Sequence, residues 1–155
     1  MAGLEDLYRE VIQDHYRYPR NKGTLEPPAS KTQGVNPSCG DEIDVYLDII
    51  GEGDDAVVAN ISIGGQGCSI SQSSASMMTA AVKGKTVAEA RLVLRRFKQL
   101  MNIDDPETQG LDDVAAVKLG DLEALQGVMK FPVRIKCATL AWNTMSRGFD
   151  EHHRE

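Results

Sequence analysis

Aromatic residues make up only 5% of this 155-residue chain: one tryptophan, four tyrosines and three phenylalanines. A base-stacking platform for single-stranded nucleic acid needs more of them. Positive charge is also in deficit. Seventeen Lys and Arg stand against 23 Asp and Glu, a formal net charge of -6, which argues against a general phosphate-binding surface for DNA or RNA. No run of about 18 apolar residues occurs, so no membrane-spanning helix is expected. The first residues, Met1 to Tyr8, are acidic rather than basic and then apolar, so no secretory leader is expected. Internal repeats, low-complexity tracts and charge blocks are lacking. Cysteine is scarce: Cys39, Cys68 and Cys137 are three in number, and no Cys-x-x-Cys occurs. That argues against a disulfide framework and gives no support for a thioredoxin-type motif or a zinc ribbon. It points to a reducing, cytoplasmic compartment.

The chain is nevertheless 41% hydrophobic and 26% charged, enough apolar matter for one packed domain spanning 1–155. Leu4, Leu7, Tyr8, Val11 and Ile12 form the stripe of an amphipathic helix from Leu4 to Tyr16, which Pro19 and Gly23 end. Residues 24–38, with Pro27, Pro28, Gly34 and Pro37, read as loop. Ile43, Val45, Leu47 and Ile49 alternate with polar residues as in a half-buried strand. Val57, Ala59, Ile61 and Ile63 alternate likewise beyond a Gly-rich turn, so the two runs form an antiparallel hairpin. Gly64 to Cys68 breaks that pattern, and small residues from Ser69 to Val82 suit a closely packed helix, which Gly84 closes. Thr86 and Glu89 make a capping box for a helix carrying Ala90, Val93, Leu94, Phe97 and Met101 on one stripe. Residues 102–119 are a long excursion. Leu122–Val128 reads as a short helix, and Pro132 opens a last helix with Val133, Cys137, Leu140, Ala141 and Met145 on its apolar side. Strands first and helices after give an α+β fold with an antiparallel sheet covered by helices.

Three places could carry chemistry. In Asn36-Pro37-Ser38-Cys39-Gly40-Asp41 a thiol and a carboxylate, both able to ligate a divalent metal, flank a glycine that can turn them to one point. Alone, the pattern also describes an ordinary turn completed by Asp41. In Gly64-Gly65-Gln66-Gly67-Cys68-Ser69 the cysteine stands where a helix begins, and amides at a helix N-terminus favour an anion. No Lys-Ser or Lys-Thr closes this loop, so it is not a phosphate-binding P-loop; a tight turn with a small buried cysteine remains the alternative. Cys137 lies on an apolar helix stripe, where a cysteine is more often core than ligand. Arg134, one turn earlier, is an odd residue for a core and a useful one beside thiolates. Met77 and Met78 read as packing, His15 as surface or half-buried, and His152 and His153 as a solvated tail.

Together these blocks resemble the SufU branch of the IscU/NifU-N family. The likeness is carried by Leu7-Tyr8-Arg9-Glu10-Val11-Ile12, Asp14-His15-Tyr16, Pro19-Arg20-Asn21-Lys22-Gly23, Asn36-Pro37, Cys39-Gly40-Asp41, Gly65 to Ser71, Ser74 to Met78, and Phe131 to Ala138 with Leu140-Ala141-Trp142. The resemblance implies a SufE/NifU-like α+β fold: about three antiparallel strands with helices on one face, and a SufU-type insertion around 102–120. It implies Zn2+ held by Cys39, Asp41, Cys68 and Cys137, with Cys39 as sulfur acceptor and Arg134 in support. The implied activity is a zinc-dependent sulfurtransferase that takes persulfide sulfur from a SufS-type pyridoxal-phosphate cysteine desulfurase for iron–sulfur cluster assembly by downstream SUF proteins. The alternative is an IscU-like scaffold carrying an Fe–S cluster. IscU proteins carry His just before the third cysteine; here that position is Lys136, which favours sulfur transfer. A third possibility is a purely structural zinc.

Overall fold

The protein is described by a computed structural model covering residues 4–27, 29–37, 40–101 and 120–154; Cys39 and residues 102–119, which hold most of the expected insertion, lie outside the described residues. The side chains of Leu4, Leu7, Tyr8 and His153 do so as well. The elements run α1 (Leu4–Arg17), β1 (Ser30–Asn36), β2 (Asp41–Ile50), β3 (Val57–Gln66), α2 (Ser69–Val82), α3 (Val87–Leu100) and α4 (Pro132–Arg154), with 3-10 turns at Gly53–Asp55 and Gly120–Lys130.

The sheet is an antiparallel meander in the order β1-β2-β3. Its first strand occupies part of the stretch that the prolines mark as loop. Those prolines flank Ser30–Asn36 rather than interrupt it, and every second residue from Thr32 to Asn36 is buried. The strand's alternation, Thr-x-Gly-x-Asn, carries no apolar signal, so polarity hides it. Gly34 is there because Thr144 of α4 presses against it and a Cβ would collide with the threonine side chain.

Strand β2 follows the expected phase, with Ile43, Val45 and Leu47 buried. Strand β3 does not keep one phase. The register slips between Asp48 and Ile49, so that Asp48 faces Asn60 while Ile49 faces Val58. The extra residue of this bulge inverts the pattern on either side of it. Val58 is buried while Val57 and Ala59 are exposed; beyond the bulge Ile61 and Ile63 turn inward. The strand also continues through Gly64 and Gly65 to Gln66, paired with Ile43 and Glu42, where composition suggests a break.

All helices that cover the sheet lie on its inner face. Helix α2 is central, with buried Ser71, Ser73, Ser74, Ala75, Ser76, Met77, Met78 and Thr79. Small side chains let α1 and α4 approach, and the buried hydroxyls are satisfied locally or across the interface: Ser73 donates to the Ile70 carbonyl, Thr79 to Ser76, and Ser74 to the Ala138 carbonyl of α4. Trp142 is fully buried, donates its indole N–H to Ser74 and stacks on Phe97 at 4.5 Å between ring centres. The Thr86–Glu89 capping box is formed in full, and Ala90, Val93, Leu94, Phe97 and Met101 are all buried. The hydrogen bonds from Thr86 hold the Glu89 carboxyl below its usual range.

Two histidines differ from expectation. His15 is buried: Nδ1 lies 2.8 Å from Ser76 Oγ and Nε2 lies 2.9 Å from Asp121 of the 3-10 turn, so one imidazole joins α1, α2 and Gly120–Lys130. A polar residue beside a helix stripe gives no hint of partners 61 and 106 positions away. His152 is not in a solvated tail; α4 runs to Arg154 and its ring nitrogen meets the Gly51 carbonyl at 3.1 Å. The expected stripe of α4 holds at Cys137, Ala141 and Met145, but Val133 is 69% exposed. Among the described residues no helix is long and apolar enough to cross a membrane.

Replacing His15 with alanine removes both hydrogen bonds and leaves a cavity between three elements. The expected loss is about 2–3 kcal/mol of stability, read as a lower midpoint in urea unfolding.

Candidate metal centre

The three elements that end at one edge of the inner face bring together residues far apart in sequence. Asp41 is the first residue of β2, Cys68 is the N-cap of α2, and Cys137 sits in the second turn of α4. One ligand atom from each lies within 4.8 Å of the others. Asp41 and Cys137 are buried and Cys68 is half-buried.

The local geometry follows from the sequence. The strand-to-helix junction turns at Gly67, and Asp41 reaches across to accept the Cys68 backbone N–H at 2.8 Å through Oδ1. Its other oxygen stands 3.9 Å from Cys68 Sγ. As N-cap, that sulfur accepts the Ser71 backbone N–H at 3.5 Å, while the Ser71 hydroxyl lies 3.8 Å away. Gly40 adopts φ +70, the left-handed angle expected of the glycine between Cys39 and Asp41.

The donor set fits a tetrahedral divalent ion. Metal–sulfur bonds of about 2.3 Å and metal–oxygen bonds of about 2.0–2.2 Å for zinc put neighbouring ligand atoms roughly 3.5–3.8 Å apart. The Asp41–Cys68 pair, at 3.9 Å, is close to that spacing, and the Cys137 sulfur lies within 4.8 Å of both partners' ligand atoms. Two sulfurs and one carboxylate oxygen leave a fourth position for another ligand.

Cys68 also lines a groove of about 900 Å³ between α1, the 3-10 turn and the start of α4. Ile12, Ile70, Val128 and Phe131 give it an apolar floor and rim, while Arg9, Lys130 and Arg134 border it. Arg134 is exposed on the first turn of α4 and shares this groove with Cys68. The structure thus brings Asp41, Cys68 and Cys137 together with Arg134 near by; Cys39 lies outside the described residues. Ser71 and the groove were not singled out from sequence. The spacing Cys68-x-x-Ser71 signals the first, whereas the groove is a property of packing alone.

The NifU-like N terminal domain family matches residues 7–138. The chain belongs to this family. Two relatives in the NifU-like family align over almost all of the chain. The zinc-dependent sulfurtransferase SufU of Bacillus subtilis (strain 168) is 45% identical over 147 residues, 95% of this chain and 92% of that protein. The iron–sulfur cluster assembly scaffold protein IscU of Streptococcus pyogenes serotype M1 is 39% identical over 148 residues, 96% of this chain and 86% of that protein. Among solved structures, FiSufU from Fervidobacterium islandicum AW-1 superposes with a TM-score of 0.67 at 29% identity, covering 93% of this chain and 97% of that one.

Gly67 tests the construction of the centre. A Cβ at Gly67 would come within 2.5 Å of both Asp41 Oδ1 and Ser71 Oγ. Gly67→Ala is expected to displace Asp41 from the Cys68 amide and to weaken divalent-metal binding by about 10- to 100-fold; competition with a chromogenic chelator measures it.

Proposed function

We propose that this protein is a zinc-dependent sulfur acceptor that takes persulfide sulfur from a pyridoxal-phosphate cysteine desulfurase of the SufS type for iron–sulfur cluster assembly. The observation that carries the reading is the convergence of Asp41, Cys68 and Cys137 on one point, in a chain similar over nearly its whole length to a protein named for zinc-dependent sulfur transfer.

Asp41, Cys68 and Cys137 would hold the zinc, with Cys39 as the fourth ligand. Two peptide units separate Cys39 from Asp41, so its Cα is no more than about 7.6 Å from that of Asp41, close enough for its sulfur to complete the set. Bound zinc keeps its thiol ligands ionised near neutral pH. Three thiolates and a carboxylate carry more negative charge than the ion offsets. The amides at the start of α2 and the guanidinium of Arg134 temper that excess.

Cys39 is the sulfur acceptor in this reading. Its thiolate attacks the outer sulfur of the desulfurase persulfide. A new S–S bond forms on Cys39, the old one breaks, and the desulfurase cysteine leaves as a thiolate. Sulfur moves without net oxidation, so no further reagent is required. The groove beside Cys68 gives an incoming protein loop access to this end of the sheet.

Cys39→Ala is expected to abolish sulfur acceptance, read as loss of the stimulation of a cysteine desulfurase assay, while some zinc binding survives through the other three residues. Transfer at the wild-type rate would remove Cys39 from its role. Asp41→Ala is expected to weaken zinc binding by at least about 100-fold and to lower the melting temperature, because metal binding and folding are coupled. Unchanged zinc content and melting temperature would count against ligation. A scaffold would instead take up iron and sulfide anaerobically, turn brown and leave the desulfurase rate unchanged. A structural zinc would show unfolding on loss of any ligand and no effect in the desulfurase assay.

A further inference from the structure

Asn36 ends β1 directly opposite Asp41, the first residue of β2. Residues opposite each other in an antiparallel pair project to the same side with Cβ atoms about 4.5–5.5 Å apart. The buried positions Thr32, Gly34 and Asn36 on one strand, and Asp41, Ile43 and Val45 on the other, put that side on the inner face. The Asn36 side chain is therefore beside the carboxylate of the Asp41, Cys68 and Cys137 cluster. It is 9% exposed, and its Nδ2 is buried with no hydrogen-bond partner.

A buried amide N–H2 without an acceptor is costly, and native proteins seldom keep one without a use. The nearby oxygens do not serve it: Asp41 Oδ1 is engaged by the Cys68 amide, and Nδ2 bonds to neither carboxylate oxygen. An amide nitrogen is a donor and not a metal ligand. What it can serve is an electron-rich atom that comes to this corner of the sheet. The unpartnered nitrogens of Arg95 and Arg96, by contrast, are single guanidinium atoms on α3, an element that contributes no residue to the cluster.

We infer that Asn36 donates an N–H···S hydrogen bond from Nδ2 to the terminal sulfur of the persulfide delivered to this centre, and so stabilises the sulfur cargo. The inference rests on the sulfur-acceptor reading above. Asn36 thereby acts on the loaded state, after the metal is in place: an uncharged donor stabilises an anionic sulfur without repelling the cation beside it. Loss of the donor leaves the metal ligands intact and makes the persulfide harder to form and quicker to discharge.

The test uses zinc-loaded full-length protein with a cysteine desulfurase and cysteine, under anaerobic conditions. Persulfide is quantified by alkylation and mass spectrometry, and its decay is followed after the desulfurase is removed. Asn36→Leu, which removes the stranded amide, is compared with wild type, and Asn36→Ala serves as the second variant should leucine not fit. Zinc content and melting temperature are expected to stay at wild-type values. Persulfide yield or lifetime is expected to fall about tenfold, the size of one lost hydrogen bond to a charged acceptor. Wild-type yield and lifetime in either folded variant would overturn the inference while leaving the sulfur-acceptor reading standing. Loss of zinc in both variants would overturn it in favour of a role in holding the metal site. Wild-type protein that takes up no sulfur at all would bring down both.

Discussion

The hydrogen bond from the Cys68 amide to Asp41 joins the start of a strand to the start of a helix, and the metal centre depends on it. Strand β2 begins at Asp41 and α2 begins just after Cys68, so the bond sets the relative position of two elements 27 residues apart in the chain. It also fixes one carboxylate oxygen, leaving the other facing Cys68 Sγ. The contact is possible because position 67 has no side chain. Helix α4 supplies the third donor independently, through the tryptophan and serine contacts that clamp it against α2. A carboxylate that holds the Cys68 amide with one oxygen and faces the Cys68 sulfur with the other is constrained twice, and that double constraint suits Asp41 to a buried position.

Much of this was legible in the sequence, and the part that was not has a common cause. The helices α2, α3 and α4 show themselves through caps, small residues and 3.6-residue stripes, which are local signals. The capping box at Thr86 is legible because its two residues are three apart. Strand β1 has no apolar residue on its buried side; its face is closed by Thr32, Gly34 and Asn36, chosen for contact with α4 and the centre rather than for hydrophobicity. The bulge in β3 shifts one strand by one residue, and periodicity cannot show where a pattern changes phase without its partner strand. His15 failed for the same reason: its meaning lies in Ser76 and Asp121, which only tertiary packing brings near.

The candidate ligands were legible differently. Spacing identified a Cys-Gly-Asp unit and a cysteine at a helix start, but nothing in their separation said that they meet. Their convergence is a consequence of the meander: β1 and β2 pair so that Asn36 faces Asp41, β3 returns antiparallel to the same end, and α2 starts there. Cys137 reaches the same point because α4 crosses the inner face against β1 and β2. An apolar stripe containing a cysteine looks like core until the neighbouring end of the sheet proves to be lined by a second thiol and a carboxylate.

The arrangement mounts three donors of the centre firmly. Asp41, Cys68 and Cys137 belong to a strand end and two helices, held by ladder bonds, a cap and core packing. In the proposed reading the fourth donor is Cys39; its described neighbours Pro37 and Gly40 are exposed, with open space where a Gly40 Cβ would stand. A site that accepts cargo needs three donors to keep the ion in place while the fourth is released, since a closed tetrahedron leaves no room for an incoming sulfur. The groove at Cys68, apolar along its floor and bordered by Arg9, Lys130 and Arg134 in a chain of net charge -6, opens next to this centre. Access and local charge therefore both favour an exchange site over a closed structural one.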